Sequence, residues 1–401
     1  MQIFSFSCYN NGYVCELRRE SMKKISVIGS GFIAEGAVQL LESNEKYSLE
    51  NILTRSNIDL RNDFPCHEKL TNNLDDLIGN SDLIVECTGD AIYACDSIDK
   101  ILKASLPVVT MNAEFHVTCG SYFVGKGMLT EAEGDQPGVL AMLNEEALSM
   151  GFKPLVYANM KGFLAHNPKK EDMEFWAEKQ GFSVDMTTSF TDGTKVQIEQ
   201  TLVANGLGVD IAQDGLIGPN NDDTWEGGAL LAKKAKELGR PISDYLISPA
   251  IKPGVFIVAE HSSEHHIGLS NYKMGDGPFF VLDRPYHLCY FEILKTIDRV
   301  LEGRGVLLDN NKIPTISTAT IAKRNLKIGE KIEKGIGSFD VRGIAVKIKE
   351  HSNHVPIGLM QDVSLKRDVD AEDFVTFDDI EIPESLALTA WKSIEKRVVE
   401  S

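Results

Sequence analysis

The chain has 401 residues, 43% of them hydrophobic and 25% charged, with a formal net charge of −18. That length suits two or three globular domains rather than one core, and the acidic balance argues against non-specific binding to nucleic acid or anionic membranes. No apolar run approaches the roughly 18 residues of a membrane span, and the seven cysteines lack a C-x-x-C pair, which argues against a disulfide framework or zinc site and fits a reducing, cytoplasmic setting.

Residues 1–21 lack the basic start and continuous apolar run of a signal peptide, and they read as an extension outside the main fold. From Lys24 onward short apolar runs alternate with amphipathic ones. Strands are predicted at Ile25–Ile28, Leu49–Thr54, Leu83–Cys87 and Pro107–Met111, with helices at Ile33–Leu41 and Ala91–Lys103. This alternation predicts an α/β fold: a Rossmann doubly wound parallel sheet over residues 22–135. Glu131–Gly138 reads as a polar loop, followed by a helix at Val139–Met150 and a strand at Leu155–Ala158. Asp192–Gly206 reads as a helix with an Asp N-cap and a Gly stop. Strands are predicted at Ile251–Glu260 and His266–Met274, and a helix at Leu288–Leu301. Together these predict an α+β substrate domain over residues 136–305. Short β-type runs punctuated by Gly and Pro then predict a small β-rich module over residues 306–401.

The run Ile25-Ser-Val-Ile-Gly29-Ser-Gly31-Phe32-Ile33-Ala34 carries the strongest chemical signal. Gly29 permits a tight turn, Gly31 lets the backbone approach a diphosphate, and Ala34 lets helix and strand pack closely. The helix mouth then aims its N–H groups at the phosphates. Where an acidic residue would bind the ribose hydroxyl of NAD, the second strand ends Thr54-Arg55-Ser56. An Arg with neighbouring hydroxyls suits a 2′-phosphate, so NADP is favoured and NAD stays open. Thr88, Gly89, Asn112 and Glu114 fall at the carboxyl ends of two further strands, where ligands of open α/β sheets bind.

The combination of G-x-G-x-x-A, Val85-Glu-Cys-Thr-Gly89 and Val108-Val-Thr-Met-Asn112 resembles the homoserine dehydrogenase group. It departs from that group at Ala113, where a Lys is usual. Glu133–Gly138, Thr191–Gln200, Asp283–Leu288 and Ala322–Glu330 make the whole chain similar to homoserine-dehydrogenase-like oxidoreductases with a C-terminal SAF domain, a branch similar to 1-deoxy-D-xylulose-5-phosphate reductoisomerase-like enzymes of isoprenoid biosynthesis. The resemblance implies an NADP-dependent oxidoreductase acting on a small polyhydroxy carbonyl or alcohol, phosphorylated in its sharpest version. A homoserine-type dehydrogenase and a non-catalytic NADP-binding sensor stay open as alternatives. It also implies a homo-oligomer with a small-molecule substrate, while the acidic balance of the chain predicts no nucleic-acid or membrane partner.

Hydride transfer to a carbonyl requires a cationic or acidic group near the oxygen that becomes an alkoxide. Lys195 is the first candidate, with Asp192 as the helix cap and Glu199 one turn on. Without the resemblance, Lys195 and Glu199 read first as a surface i,i+4 ion pair and only second as catalytic. Lys161 and His287 are further catalytic candidates, and Lys126 is a weaker cation of the same kind. Asp135 and Gln136, in a Gly/Pro loop, and Arg284, before a helix, are candidate substrate ligands. A reductoisomerase would require a divalent metal, but the spacing of acidic residues does not single out its ligands. His261, His265 and His266 crowd together without a ligand spacing and read as a solvated hairpin turn.

Overall fold

The computed structural model describes residues 22–401, so the expected extension at residues 1–21 lies outside the described residues. The chain begins with β1 (Lys23–Ile28), α1 (Phe32–Glu42), β2 (Tyr47–Leu53), β3 (Leu70–Thr71), α2 (Leu74–Asn80), β4 (Leu83–Glu86), α3 (Ala91–Lys103), β5 (Val108–Thr110), α4 (Ala113–Cys119) and β6 (Leu129–Glu131). The strands form one parallel sheet in the order β3-β2-β1-β4-β5-β6. Helices cover both faces, which is why Ile25–Ile28 and Leu83–Glu86 are buried along their whole length rather than alternately. Strand order reverses between β1 and β4, so the crevice of the fold opens beside the Gly29 turn. The fold class is α/β, as the sequence predicts.

The supposed polar loop at Glu131–Gly138 is buried throughout. Glu131 ends β6, and α5 (Gln136–Ser149) begins three residues before the expected start at Val139. Pro137 sits in the first turn, where its missing N–H costs nothing.

A second sheet follows, built from β7 (Lys153–Lys161), β8 (Ile242–Ile247), β9 (Gly254–Glu260) and β10 (Phe279–Arg284) in the order β10-β9-β7-β8. Between these strands run α6 (Lys170–Gln180), α7 (Val184–Thr191), α8 (Thr194–Leu207), α9 (Thr224–Leu238) and α10 (His266–Asn271). The expected strand at His266–Met274 is therefore wrong. Leu269 and Met274 pack against the core while Ile267 and Tyr272 are exposed, a helical and not an alternating pattern. On its outer edge β9 pairs antiparallel with the unpredicted β10, and on its inner edge with β7. The 261–278 connection is thus a long hairpin that contains a helix. The strand read at Leu155–Ala158 is the middle of the longer β7. The helix read at Leu288–Leu301 is α11 (Ile293–Leu301) with a short 3₁₀ turn before it.

The C-terminal module contains β11 (Ile316–Ala322), β12 (Lys331–Lys334), β13 (Val341–Lys347), β14 (Gln361–Leu365), β15 (Ile380–Glu381) and the unpredicted closing helix α12 (Leu386–Glu400). Trp391 of α12 lies in one continuous core with Ile98 and Phe115 of the parallel-sheet half.

The element that ties these parts together is α8. It packs against α4, α5, β8, β11 and β13, and it is buried on nearly every side although rich in polar residues. Most of its buried polar side chains have partners, as burial demands, with Gln200 Nε2 the exception. Gln197 accepts from Ala345 N and donates to Gly215 O, Asn205 accepts from Ile316 N, and Thr194 accepts from Gly343 N. These bonds key the C-terminal strands onto the helix that carries Lys195. Asp192 is not its N-cap. Gly193 holds that position at φ +88°, and Asp192 instead accepts from Thr194 N from one residue further back.

Candidate active site

The nucleotide cradle follows from backbone geometry. Gly29 has φ +120°, and a Cβ there would lie 2.9 Å from Cys87 O. Gly31, the N-cap of α1, has open space where a side chain would project, and no side chain caps the helix. Free N–H groups therefore face an opening that any Cβ at position 31 would fill, which fits a diphosphate. Phe32 and Ile33 form the first turn of α1, and Ala34 is fully buried against the sheet.

At the end of β2 stand two guanidinium groups, one of which meets the linked hydroxyls of Ser30 and Thr54. Arg55 reaches Asp90 Oδ2 at 2.8 Å and lies over the Tyr93 ring. Arg61, which the sequence reading missed, donates to Ser30 Oγ at 3.0 Å and to Ser30 O at 2.9 Å. Ser30 Oγ in turn contacts Thr54 Oγ1 at 2.8 Å, and Ser56 N donates to Thr54 Oγ1. Arg61 falls six residues past Arg55 in irregular chain, where no periodicity marks it.

The carboxyl ends of β4 and β5 are organised by the buried Glu86. It accepts from Thr88 N, Thr88 Oγ1, Thr110 Oγ1 and Asn112 Nδ2. Thr88 and Asn112 are thereby held side by side, with Gly89 beyond them opening onto free space. Asn112 also caps α4 through Phe115 N, which places Glu114 in the first turn of that helix.

Glu114 leads to the centre of the site. Lys195 Nζ lies 3.1 Å from Glu114 Oε1, 3.6 Å from Asp135 Oδ2 and 4.0 Å from Glu199 Oε1. Lys161 Nζ lies 3.0 Å from Glu199 Oε2 and 2.6 Å from Gln136 Oε1. Asn159, also missed by the sequence reading, donates to both Gln136 Oε1 and Glu199 Oε2. Asn159 and Lys161 are two apart on β7 and so share a face, the signal that would have found it. Asp135 divides its work: Oδ1 accepts from Gln136 N at the start of α5, while the buried Oδ2 has no hydrogen-bond partner and faces Lys195.

Burial alone would depress the Lys195 ammonium, but Asp135, Glu114 and Glu199 outweigh it and hold it well above the ordinary lysine range. Burial raises Glu199, opposed by Lys161 and Lys195. Three carboxylates thus surround two ammonium groups. Lys195 Nζ lies between Glu114 and Asp135, and among the described residues no group of three His, Cys, Asp or Glu side chains converges as a metal-ligand set.

The remaining candidates separate. Asp192 pairs with Lys323 of the C-terminal module at 2.6 Å. Arg284 is tied to Glu133 and Glu292, which Lys295 also bridges. His287 Nδ1 lies 3.2 Å from Gly134 O, in a 285–292 loop that crosses above the start of α5. Tyr290 of that loop packs against Gly36 and edge-on to Phe32, so one loop touches both the nucleotide turn and the Asp135 corner. Lys126 stacks on the Tyr122 ring. His261 and His266 make local contacts, to Met150 O and to His261 O. A cavity of about 530 Å³ lies at the far end of α8 beside Asn205 and Arg240 and contains none of these groups.

Residues 29–118 match the homoserine dehydrogenase NAD-binding domain, and residues 134–293 match the family described as oxidoreductase DRL, catalytic domain. The chain is a nicotinamide-nucleotide-dependent oxidoreductase. No curated protein matches its sequence. Solved structures resemble it at a distance. A putative myo-inositol dehydrogenase from Sinorhizobium meliloti 1021 is 10% identical, with a TM-score of 0.41 over 73% of this chain and 93% of that one. A probable dehydrogenase from Thermotoga maritima is 14% identical, with a TM-score of 0.42 over 72% and 91%. Likeness of this degree says nothing about substrate. Among the described residues no helix is long and apolar enough to cross a membrane.

Proposed function

We propose that the chain is an NADP-preferring oxidoreductase that interconverts the carbonyl and alcohol forms of a small polyhydroxy substrate, with Lys195 as the group that faces the reacting oxygen. The observation that carries this reading is the position of Lys195. Its ammonium is paired with Glu114, which begins beside the Thr88–Asn112 pair at the nucleotide end of the parallel sheet. Gly29, Gly31 and the mouth of α1 would hold the diphosphate, and Arg55 and Arg61 the 2′-phosphate. The nicotinamide, when bound, supplies or accepts the hydride.

The other steps belong to side chains. Lys195 stays charged over the working pH range and stabilises an oxyanion at its Nζ. An alkoxide is far more basic than any ammonium, so proton transfer from Lys195 Nζ to it is downhill even with the raised proton affinity of this lysine. Glu114, Asp135 and Glu199 orient the ammonium. Lys161, Gln136 and Asn159 fix Glu199 and offer donors and acceptors suited to substrate hydroxyls. The 1-deoxy-D-xylulose 5-phosphate class of substrate, suggested by the resemblance of the whole chain, fits this polar lining.

The test is NADPH oxidation against a panel of hydroxyketones, hydroxyaldehydes and sugar phosphates, with and without Mg²⁺ or Mn²⁺. Turnover with at least one member is expected. NADPH binding without turnover of any of them would favour a nucleotide sensor and overturn the enzymatic reading.

A further inference from the structure

The chain crosses between the parallel sheet and the second sheet beside the Lys195 cluster. It leaves the parallel sheet at Glu131, the end of β6, and enters α5 at Gln136. It comes back from Arg284, the end of β10, to α11. Ile293 and Ile297 of α11 lie in one core with Ile25, Ala34 and Val38, so the 285–292 loop is the return passage to the nucleotide half. The two passages run side by side. Cys289 N donates to Gly134 O at 3.1 Å. Glu133 of the outward passage and Glu292 of the return passage each pair with both Arg284 and Lys295. Two carboxylates and two cations thus brace the crossing without net charge.

Two glycines receive consecutive residues of the return passage. Gly36 is buried inside α1, where glycine is the poorest helix former short of proline. A Cβ there would run into the Tyr290 ring. Phe32, one turn earlier on the same face of α1 and next to Gly31, meets that ring edge-on at 6.0 Å. Gly134, at φ +118°, would likewise drive a Cβ into Cys289 O. Cys289 itself holds φ +47°, a left-handed conformation that a residue with a side chain keeps only where its surroundings fix it. One peptide unit separates the two seats, and consecutive Cα atoms stand about 3.8 Å apart across it. To shift the mouth of α1 against Gly134, Tyr290 or Cys289 has to leave its seat. Asp135 follows Gly134 and turns Oδ2 toward Lys195 Nζ at 3.6 Å.

We propose that Tyr290 and Cys289 are positioning residues: they set the place of the Asp135–Lys195 pair relative to a nucleotide bound at the mouth of α1. They thereby govern how closely the reacting carbon approaches the nicotinamide. Hydride transfer is steep in that distance, a misplacement of about 1 Å costing on the order of 10²-fold in rate. The effect on turnover rests on the oxidoreductase reading above, whereas the link between the two seats is tested without a substrate.

Tyr290→Ala empties the seat in α1, and Gly36→Ala fills it. Each is expected to lower the single-turnover rate of NADPH oxidation by a hydroxyketone about 10–100-fold, with the NADPH dissociation constant within about threefold of the parent. Tyr290→Phe keeps the ring and should restore the rate. Adding Gly36→Ala to Tyr290→Ala should cost nothing more, because the new methyl group then meets no ring. A lower melting temperature with the parental rate in both folded variants would overturn the positioning role. The second measurement is amide hydrogen exchange with and without saturating NADP⁺. In the parent the nucleotide is expected to slow exchange severalfold at residues 29–36 and also at 133–139. In Tyr290→Ala the protection at 29–36 persists and that at 133–139 is lost. Protection of the parent at 29–36 alone, or equal protection of both proteins at 133–139, would overturn the role, and the first of these outcomes needs no variant to fold. No protection at 29–36 in the parent would instead overturn the nucleotide reading and the positioning role with it. If the parent turns over no hydroxyketone, the enzymatic reading fails and the exchange measurement alone decides the link.

Discussion

Lys195 Nζ and Glu114 Oε1 lie 3.1 Å apart across 81 residues of sequence. Glu114 stands at the nucleotide end of the parallel sheet, and Lys195 on the helix that the second sheet and the C-terminal module both grip. The contact joins the half of the protein that holds a nucleotide to the half that presents polar groups to a substrate.

The first prediction follows from that contact. Lys195→Ala removes the charge that meets the oxyanion and is expected to lower kcat by about 10²–10⁴-fold, the usual worth of a positioned acid. The NADPH dissociation constant should stay within about twofold, because the nucleotide cradle is built from other residues. Single-turnover rates together with fluorescence titration decide it. Turnover within about tenfold of the parent would remove Lys195 from the chemistry.

Two glycines of the nucleotide turn should respond in opposite ways. Gly29→Ala places a Cβ 2.9 Å from Cys87 O at φ +120°, so it is expected to lower the melting temperature, since an L-residue is strained in that conformation. A Cβ at position 31 meets nothing within 4 Å, so Gly31→Val should fold as the parent does and yet lose NADPH binding, because its side chain occupies the diphosphate space. Thermal melts and nucleotide titrations on both variants check this. Normal NADPH affinity in Gly31→Val would displace the cradle from this turn.

Arg55 and Arg61 should discriminate between the nucleotides. A charge-assisted hydrogen bond is worth about 1.5–3 kcal/mol, so Arg61→Ala is expected to raise KM for NADPH by roughly 10–100-fold and to leave NADH little changed. Arg55 already spends one guanidinium nitrogen on Asp90, so Arg55→Ala should cost less. Equal effects on both nucleotides would assign Arg61 a structural role through Ser30.

How far the sequence announces this site depends on whether a signal is local. Gly29, Gly31 and Ala34 are legible because one turn sets their spacing. Arg55 is legible as the residue after a strand, whereas Arg61 acts from irregular chain and has no register. Lys195 and Glu199 share a helix face, yet the tighter partner Glu114 comes from another element, which no local rule reaches. The helix α8 has polar residues on its buried faces, so hydrophobic periodicity is blind to how deeply it lies. The closing helix is a different case. Ala387, Trp391, Ile394 and Val398 form a helical stripe that was readable, and the Gly/Pro-rich strands before it masked it.

The last prediction concerns the ground beneath the site. His116 Nε2 and Glu131 Oε2 lie 3.4 Å apart with both side chains fully buried, yet none of their polar atoms makes a hydrogen bond. Although the distance is that of an ion pair, burial drives both groups toward neutrality. It lowers His116 from 6.5 to about 3 and raises Glu131 well above the usual carboxylate range. The signs then oppose each other. A depressed imidazole contributes stability that is present above pH 6.5 and lost as pH falls toward about 3. A raised carboxyl contributes stability that is present below its unfolded value and lost as pH rises. Between about pH 4.5 and 6.5 folded and unfolded chains bind the same number of protons at this pair, so its contribution is flat. Glu131→Gln removes one side of the balance. Relative to the parent, it should gain about 1.4 kcal/mol of stability per pH unit as pH rises from 5 toward the folded value of Glu131. Urea denaturation of both proteins at pH 5, 6.5 and 8 measures the difference. A difference that does not change with pH would mean that Glu131 is already ionised in the folded protein and that the pair is a true salt bridge.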